Sequence, residues 1–293
     1  MNDDVQLSKR IDIEAARGIG ARSLHVQHGV CGEPNGENII STDLMAVWGE
    51  KDKLWYVNAG NAGEKIIVTG NPKFDIVAQR LARPPADWRV EHCPKAVVFA
   101  TQPAPKHSSY DTDDEEEVLA DAITRAMSHF PDRRLVIKLH PNQGEHESMY
   151  RAYAERHGLK NFEILRRVEL GRLLCNCELF ITESSTAAME AVLWDVPIMI
   201  VNLTRRPDIV PYVPSGVAAG VYDEKKIAPM LQHFFNNDEI IRSQAENRPR
   251  FIADYLHRID GNSTRRVYEL VETLALGQAP AAGAALQMTG AKI

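Results

Sequence analysis

The chain is short of cysteine. Cys31, Cys93, Cys175 and Cys177 are the four in 293 residues, at irregular spacing. They frame neither a disulfide scaffold nor a zinc site, because Cys175-Asn176-Cys177 lacks the second ligand pair of a closed tetrahedral site. A reducing cytoplasm is the expected location. Long apolar runs are missing too, and Met1-Asn2-Asp3-Asp4-Val5 has none of the basic character that opens a signal peptide. Any membrane contact is therefore expected to be peripheral. Positive charge is not in excess: 34 Lys and Arg stand against 40 Asp and Glu, a formal charge of −6. With no RNA-binding or helix-turn-helix signature either, nucleic acid is not an expected partner, and a small polar ligand suits the chain better. There are no internal repeats.

What is present is 44% hydrophobic residues, enough for one large or two moderate cores. Short β-branched runs alternate with helical stretches, which predicts α/β layers around mostly parallel sheets. Residues 1–82 are expected to form an amino-terminal α/β domain, with strands over 23–27, 45–48 and 66–68 and helices over 7–17, 51–58 and 74–82. Arg83-Pro84-Pro85-Ala86-Asp87-Trp88 reads as extended chain and places a linker at 83–95. Residues 96–276 are expected to be a doubly wound domain with strands over 96–100, 135–139, 162–165, 179–182 and 197–201 and helical segments over 224–275. The Ala- and Gly-rich stretch 277–293 has little to bury and is expected to be disordered. The acidic run 111–117 fits a helix's first turn better than a metal site, and no metal is expected.

Four segments carry chemistry, and one loop stands beside them. In residues 178–203, a buried strand, a turn, a short helix and a second strand place Ser184, Ser185 and Thr186 where a helix begins. Hydroxyls and unpaired N–H groups converge there, which suits a phosphate; the plainer alternative is an ordinary cap. Glu190 lies one turn on, on the same face, placed to accept hydrogen bonds from sugar hydroxyls unless it is only a surface residue. In Lys138-Leu139-His140-Pro141, two polar side chains flank the carboxyl end of a buried strand, where ligands collect in open α/β sheets. His140 there can bond a phosphate oxygen or a leaving phosphate. His28, in Gln27-His28-Gly29, is expected at a strand end, with Gly29 permitting a sharp turn and His25 on the opposite face. It is a base for an attacking hydroxyl or a holder of the turn. Gly70 and Asn71, in Val68-Thr69-Gly70-Asn71-Pro72-Lys73-Phe74-Asp75, bring backbone near a ligand or, more economically, form an elbow. Arg205 and Arg206 open a Pro-rich loop that shapes the ligand's distal end, packs, or acts as a lid.

Taken in order over about residues 23–275, these motifs, with Thr182-Glu183-Ser184-Ser185-Thr186-Ala187-Ala188-Met189-Glu190-Ala191 and the late Asp260-Gly261-Asn262-Ser263-Thr264-Arg265-Arg266, resemble glycosyltransferases of the GT-B fold. The closest resemblance is to the CDP-glycerol glycerophosphotransferase and capsule polysaccharide transferase group, which overlaps the UDP-N-acetylglucosamine 2-epimerase superfamily. The resemblance implies that His140 and Pro141, with Lys138, contact the donor's phosphates, that Ser184, Ser185 and Thr186 cradle them, that Glu190 holds the ribose and that His28 is the base on the acceptor side. It implies a nucleotide-activated sugar or polyol donor, a polysaccharide or lipid-linked acceptor and no nicotinamide or flavin cofactor. In the family the Gln-His-Gly segment falls late in a full-sized amino-terminal domain. Here few residues precede it, so that domain is expected to be truncated, with a partner chain or a homo-oligomer supplying the rest. The expected activity is transfer of a sugar or glycerol-phosphate group in bacterial surface polysaccharide synthesis. The alternatives are a 2-epimerase and a catalytically reduced nucleotide-sugar-binding module.

Overall fold

The computed structural model describes residues 7–31, 39–88, 96–102, 112–143, 146–204 and 206–277. Cys93, Asp111, Arg205, most of the expected linker and the stretch from 278 onward lie outside the described residues. The chain divides into two compact units. One runs to Asp75 and resumes at Ala253; the other is Ile76–Ile252.

The first unit holds three parallel strands, β1 (Leu24–Val26), β2 (Leu44–Val47) and β3 (Ile66–Val68), in that order. Helices α1 (Leu7–Gly18) and α2 (Glu50–Asn58) flank them in sequence, and α3 (Lys73–Ala82) follows β3. Central β2 is buried at all four positions, as a strand covered on both faces must be. On one face Met45 and Val47 pack with Ile66 and with Tyr56 of α2. On the other, Leu44 and Ala46 meet Val267, Leu270 and Leu274 of α10 (Ser263–Ala275).

That last contact corrects the expected boundaries. Residues 263–275 were assigned to the second domain, but their apolar stripe at i, i+3 and i+7 closes the first sheet instead. The chain leaves the first unit within α3, before the expected linker. The Pro-rich stretch does not stay extended either: it ends in a 3₁₀ turn, Ala86–Trp88. Trp88 is 4% exposed, set beside Trp194 with ring centroids 6.0 Å apart and under the Arg80 guanidinium. So large an apolar ring gains more from the second unit's core than from a solvated linker.

The second unit is a six-stranded parallel sheet of β4 (Ala96–Ala100), β5 (Arg134–Lys138), β6 (Phe162–Leu165), β7 (Cys177–Thr182), β8 (Ile198–Val201) and β9 (Ala219–Val221). Their order is β6-β5-β4-β7-β8-β9. The winding reverses between β4 and β7, the switch point of a doubly wound sheet. Alternate residues Val97, Phe99, Leu135, Ile137, Leu179 and Ile181 face one core with Ile123 and Met127 of α4 (Thr112–Met127), Tyr150 of α5 (Glu147–Arg156) and Leu231 of α8 (Ile227–Asn236). Short helices α6 (Leu170–Leu174) and α7 (Ala187–Leu193) bracket β7 in sequence, and α9 (Glu239–Phe251) runs into a π-helical turn. Among the described residues no helix is long and apolar enough to cross a membrane.

Candidate nucleotide-binding site

Because β4 lies between β5 and β7, the segments that follow these three strands stand side by side at the sheet's carboxyl edge. Thr101 and Gln102 end β4, Leu139 to Gln143 follow β5, and Glu183 to Thr186 follow β7. They are stitched together by side chains. The Thr101 hydroxyl donates to Gln143 Oε1 at 2.6 Å and accepts the His140 N–H at 3.0 Å. Gln143 Nε2 donates to the Gln102 carbonyl at 2.9 Å. The Gln102 amide then reaches across to Ser184, with Nε2 donating to Oγ at 2.9 Å and Oε1 accepting the Ser184 N–H at 3.1 Å. His140 and Ser184, 44 positions apart in sequence, thus open onto one rim.

The His140 ring is oriented. The Asn142 N–H donates to its Nδ1 at 3.2 Å, so a neutral imidazole there carries its proton on Nε2. Partial burial, then the nearby Lys138 ammonium, hold its pKa below the usual histidine range, which favours that neutral donor at pH 7. Lys138 is half-buried, while Pro141 is exposed.

At the third turn the hydroxyl cluster is in part an ordinary cap. Ser185 Oγ accepts the Ala187 N–H at 3.2 Å, which is a cap, and the Ser185 carbonyl takes the Tyr212 hydroxyl at 3.0 Å. Thr186 caps nothing and is exposed. The N–H groups of Ser185 and Thr186 have no protein acceptor among the described residues. With seven residues α7 is too short for much of a macrodipole, so any anion here depends on individual donors. Glu190, at 6% exposure, is not the surface residue of the plainer alternative.

Beside the rim, a cavity is lined by Thr101, Gln102, Glu115, Tyr150, Glu183 and Arg206. Burial raises the Glu183 pKa, Arg206 pulls it back, and Glu115 and Asp208 push it up again. Arg206 is ion-paired to Glu115. Its loop is pinned where Asn202 donates to the Arg206 carbonyl and to Asp208, both at 2.9 Å. Thr101, Gln102, Gln143, Glu183 and Tyr212 were not among the predicted site residues. The argument that selected His140, a polar side chain just past a buried strand, applies equally to Gln102 after Ala96–Ala100 and to Glu183 after Thr182.

In the first unit the Gln27-His28-Gly29 segment is braced by its glutamine. Gln27 Oε1 accepts the Trp48 N–H at 2.8 Å, and its Nε2 donates to the Gly29 carbonyl at 2.9 Å. His28 is exposed. Its ring lies 6.4 Å from that of buried His25, not on an opposite face, because β1 ends at Val26 and strand alternation stops there. Gly29 is half-buried, and its carbonyl is held by the Gln27 amide. Close by, burial pushes the Asp52 carboxyl up to about 6 and raises the Cys31 thiol.

Asn71 is a capping residue, not a free contact: its Oδ1 accepts the Lys73 N–H at 3.0 Å, which favours the elbow. The elbow has a distant partner. The Asp75 carboxylate accepts the N–H groups of Ser263 at 2.9 Å and Thr264 at 2.7 Å, and Arg266 Nε donates to the Thr69 carbonyl at 2.7 Å. Gly70 has φ +78°, and a Cβ there would lie 2.5 Å from Ser263 Oγ. Two motifs 188 residues apart are therefore one structural joint. Among the described residues no group of three His, Cys, Asp or Glu side chains is placed to hold a metal.

Residues 20–272 match the family model described as UDP-N-acetylglucosamine 2-epimerase. No curated protein matches the chain. Among solved structures, the UDP-GlcNAc 2-epimerase of Neisseria meningitidis bound to UDP-GlcNAc aligns with a TM-score of 0.66 at 15% identity, over 92% of this chain and 74% of that one. The Methanocaldococcus jannaschii UDP-GlcNAc 2-epimerase in complex with UDP-GlcNAc and UDP gives 0.62 at 17%, over 91% and 72%. The wall teichoic acid polymerase TagF gives 0.58 at 12%, over 88% and 69%. The shared feature is the fold, α/β with parallel sheets of the GT-B kind.

Proposed function

Since the chain belongs to the UDP-N-acetylglucosamine 2-epimerase family, we propose that it is an enzyme acting on a nucleotide-activated sugar, whose diphosphate is held between His140 and the turn Ser184–Ser185–Thr186. The observation that carries this reading is the bridge from Gln143 through Gln102 to Ser184, which brings two sets of oxyanion donors to one rim at the switch point. His140 Nε2–H, the Ser184 hydroxyl, and the N–H groups of Ser185 and Thr186 face the charge that grows as the bond between the anomeric carbon and the diphosphate breaks. Lys138 adds positive charge, Glu190 serves the ribose and Arg206 the distal end, with Pro141 shaping the turn.

We assign the second half of the reaction to transfer onto a hydroxyl of a polysaccharide or lipid-linked acceptor in surface polymer synthesis. The acceptor oxygen bonds to the anomeric carbon, the nucleoside diphosphate leaves, and the acceptor's proton passes to a base, for which His28 is the candidate. The second reading, 2-epimerisation by elimination and re-addition of the diphosphate, is favoured by the family itself. Incubation with UDP-N-acetylglucosamine and no acceptor separates the two: an inverted C2 centre with no net release of UDP marks the epimerase and overturns transfer.

The phosphate site is tested by calorimetry with UDP. Replacing His140 by Ala is expected to weaken binding about tenfold, the scale of one hydrogen bond to a charged group, and unchanged binding counts against the assignment. Replacing His28 is expected to leave UDP affinity intact and remove turnover. A thermal-shift series with CMP, CDP, UDP and GDP identifies the base.

A further inference from the structure

We propose that Gln102 is a positioning residue that fixes the hydrogen-bond polarity of Ser184, so that the serine hydroxyl offers its proton to the ligand and not to the protein. The proposal rests on the reading that a diphosphate binds at the rim.

The amide orientation is decided by its neighbours. The Ser184 N–H, 3.1 Å from Oε1, can only donate, so an oxygen must face it; the flipped amide would set N–H against N–H. That leaves Nε2 as the donor to Ser184 Oγ at 2.9 Å. One lone pair of the hydroxyl is then occupied. The alternative acceptor for the hydroxyl proton, Oε1, lies further off at 3.3 Å and already serves the Ser184 N–H. That long, shared contact is the hydroxyl proton's bond within the protein, and a charged phosphate oxygen on the rim is the stronger acceptor for it.

Gln102 is itself held at its backbone carbonyl by Gln143, whose Oε1 also accepts the His140 N–H at 3.2 Å. One residue therefore sets the direction of the Ser184 donor and shares its anchor with the His140 turn. A glutamine serves here where a carboxylate would not. With two acceptor oxygens, Glu would draw the hydroxyl proton to itself and turn serine lone pairs toward the phosphate.

The test is a double-mutant cycle on the full chain, by calorimetry with UDP and with uridine as the phosphate-free probe. Gln102→Met keeps the side chain's length without its hydrogen bonds, and Ser184→Ala removes the hydroxyl. Each is expected to weaken UDP binding about tenfold and leave uridine binding unchanged, and the double variant is expected to be no weaker than Ser184→Ala alone. Gln102→Asn, an amide too short to span to Ser184, is the second variant and should reproduce the loss. Additive losses, an equal loss for uridine, or UDP affinity unaffected by Gln102→Met and Gln102→Asn would each overturn the proposal. If the unmodified protein binds UDP no better than uridine, the phosphate site itself fails and the role of Gln102 falls with it, an outcome the wild-type titration reveals alone.

Discussion

At the scale of single residues, charge is tuned by burial as much as by partners. His140 is kept neutral first by its surroundings and then by Lys138. Replacing Lys138 by Met is therefore expected to move the His140 pKa up toward its ordinary value, read from imidazole resonances. Bound UDP should raise it in the unmodified protein, so affinity should grow as pH falls through that range. Asp52 is the opposite case. Its folded pKa of about 6 lies above the unfolded value of 3.8, so the folded chain binds the extra proton between these limits. The contribution of Asp52 to stability is then highest on the acid side and declines as pH rises from about 4 to about 6, by no more than about 3 kcal/mol. Asp52→Asn should flatten that slope in denaturant titrations at stepped pH, while the Gly49 N–H keeps an acceptor.

At the scale of elements, Asp75 connects one helix to another. Burial alone would raise its pKa, but hydrogen bonds from Thr264 and Ser263 prevail and hold it low. This stabilisation is present above the usual carboxylate range and is lost as pH falls below it. Asp75→Ala should cost about 1–2 kcal/mol, as a lost cap does. It should speed hydrogen exchange across Ser263–Ala275, and a mutant with unchanged exchange there would refute the joint.

Elements with a strong apolar period were readable in advance: β4 and β6 fall where the β-branched runs put them, and most others within two residues. β9 was not, because Ala219-Gly220-Val221 has no run of its own and is a strand only by pairing with Met199–Val201. The same limit explains the site. His140 and Ser184 announced themselves by residue type and position. Gln102 did not, because its meaning lies in a partner 82 residues away. Likewise nothing in the local pattern of Asp260–Arg266 shows that its partner is Thr69–Asp75.

At the scale of the whole molecule, each unit has its own core, and the chain crosses between them twice, after Asp75 and after Ile252. A change such as Asp75→Ala is therefore expected to alter hydrogen exchange in Leu44–Val47 and Ile66–Val68 while leaving Ala96–Ala100 and Cys177–Thr182 as they were. UDP should do the reverse, slowing exchange at residues 139–143 and 183–190. The return of the chain at Ala253 bears on how the protein is made. Synthesis delivers the first sheet early, yet Leu270, which covers one side of it, and the amides that satisfy Asp75 emerge only after every strand of the second sheet. The usual order of folding, earlier domain first, is therefore expected to invert: every strand of the later-made unit is available before the first sheet receives the helix that covers Leu44 and Ala46.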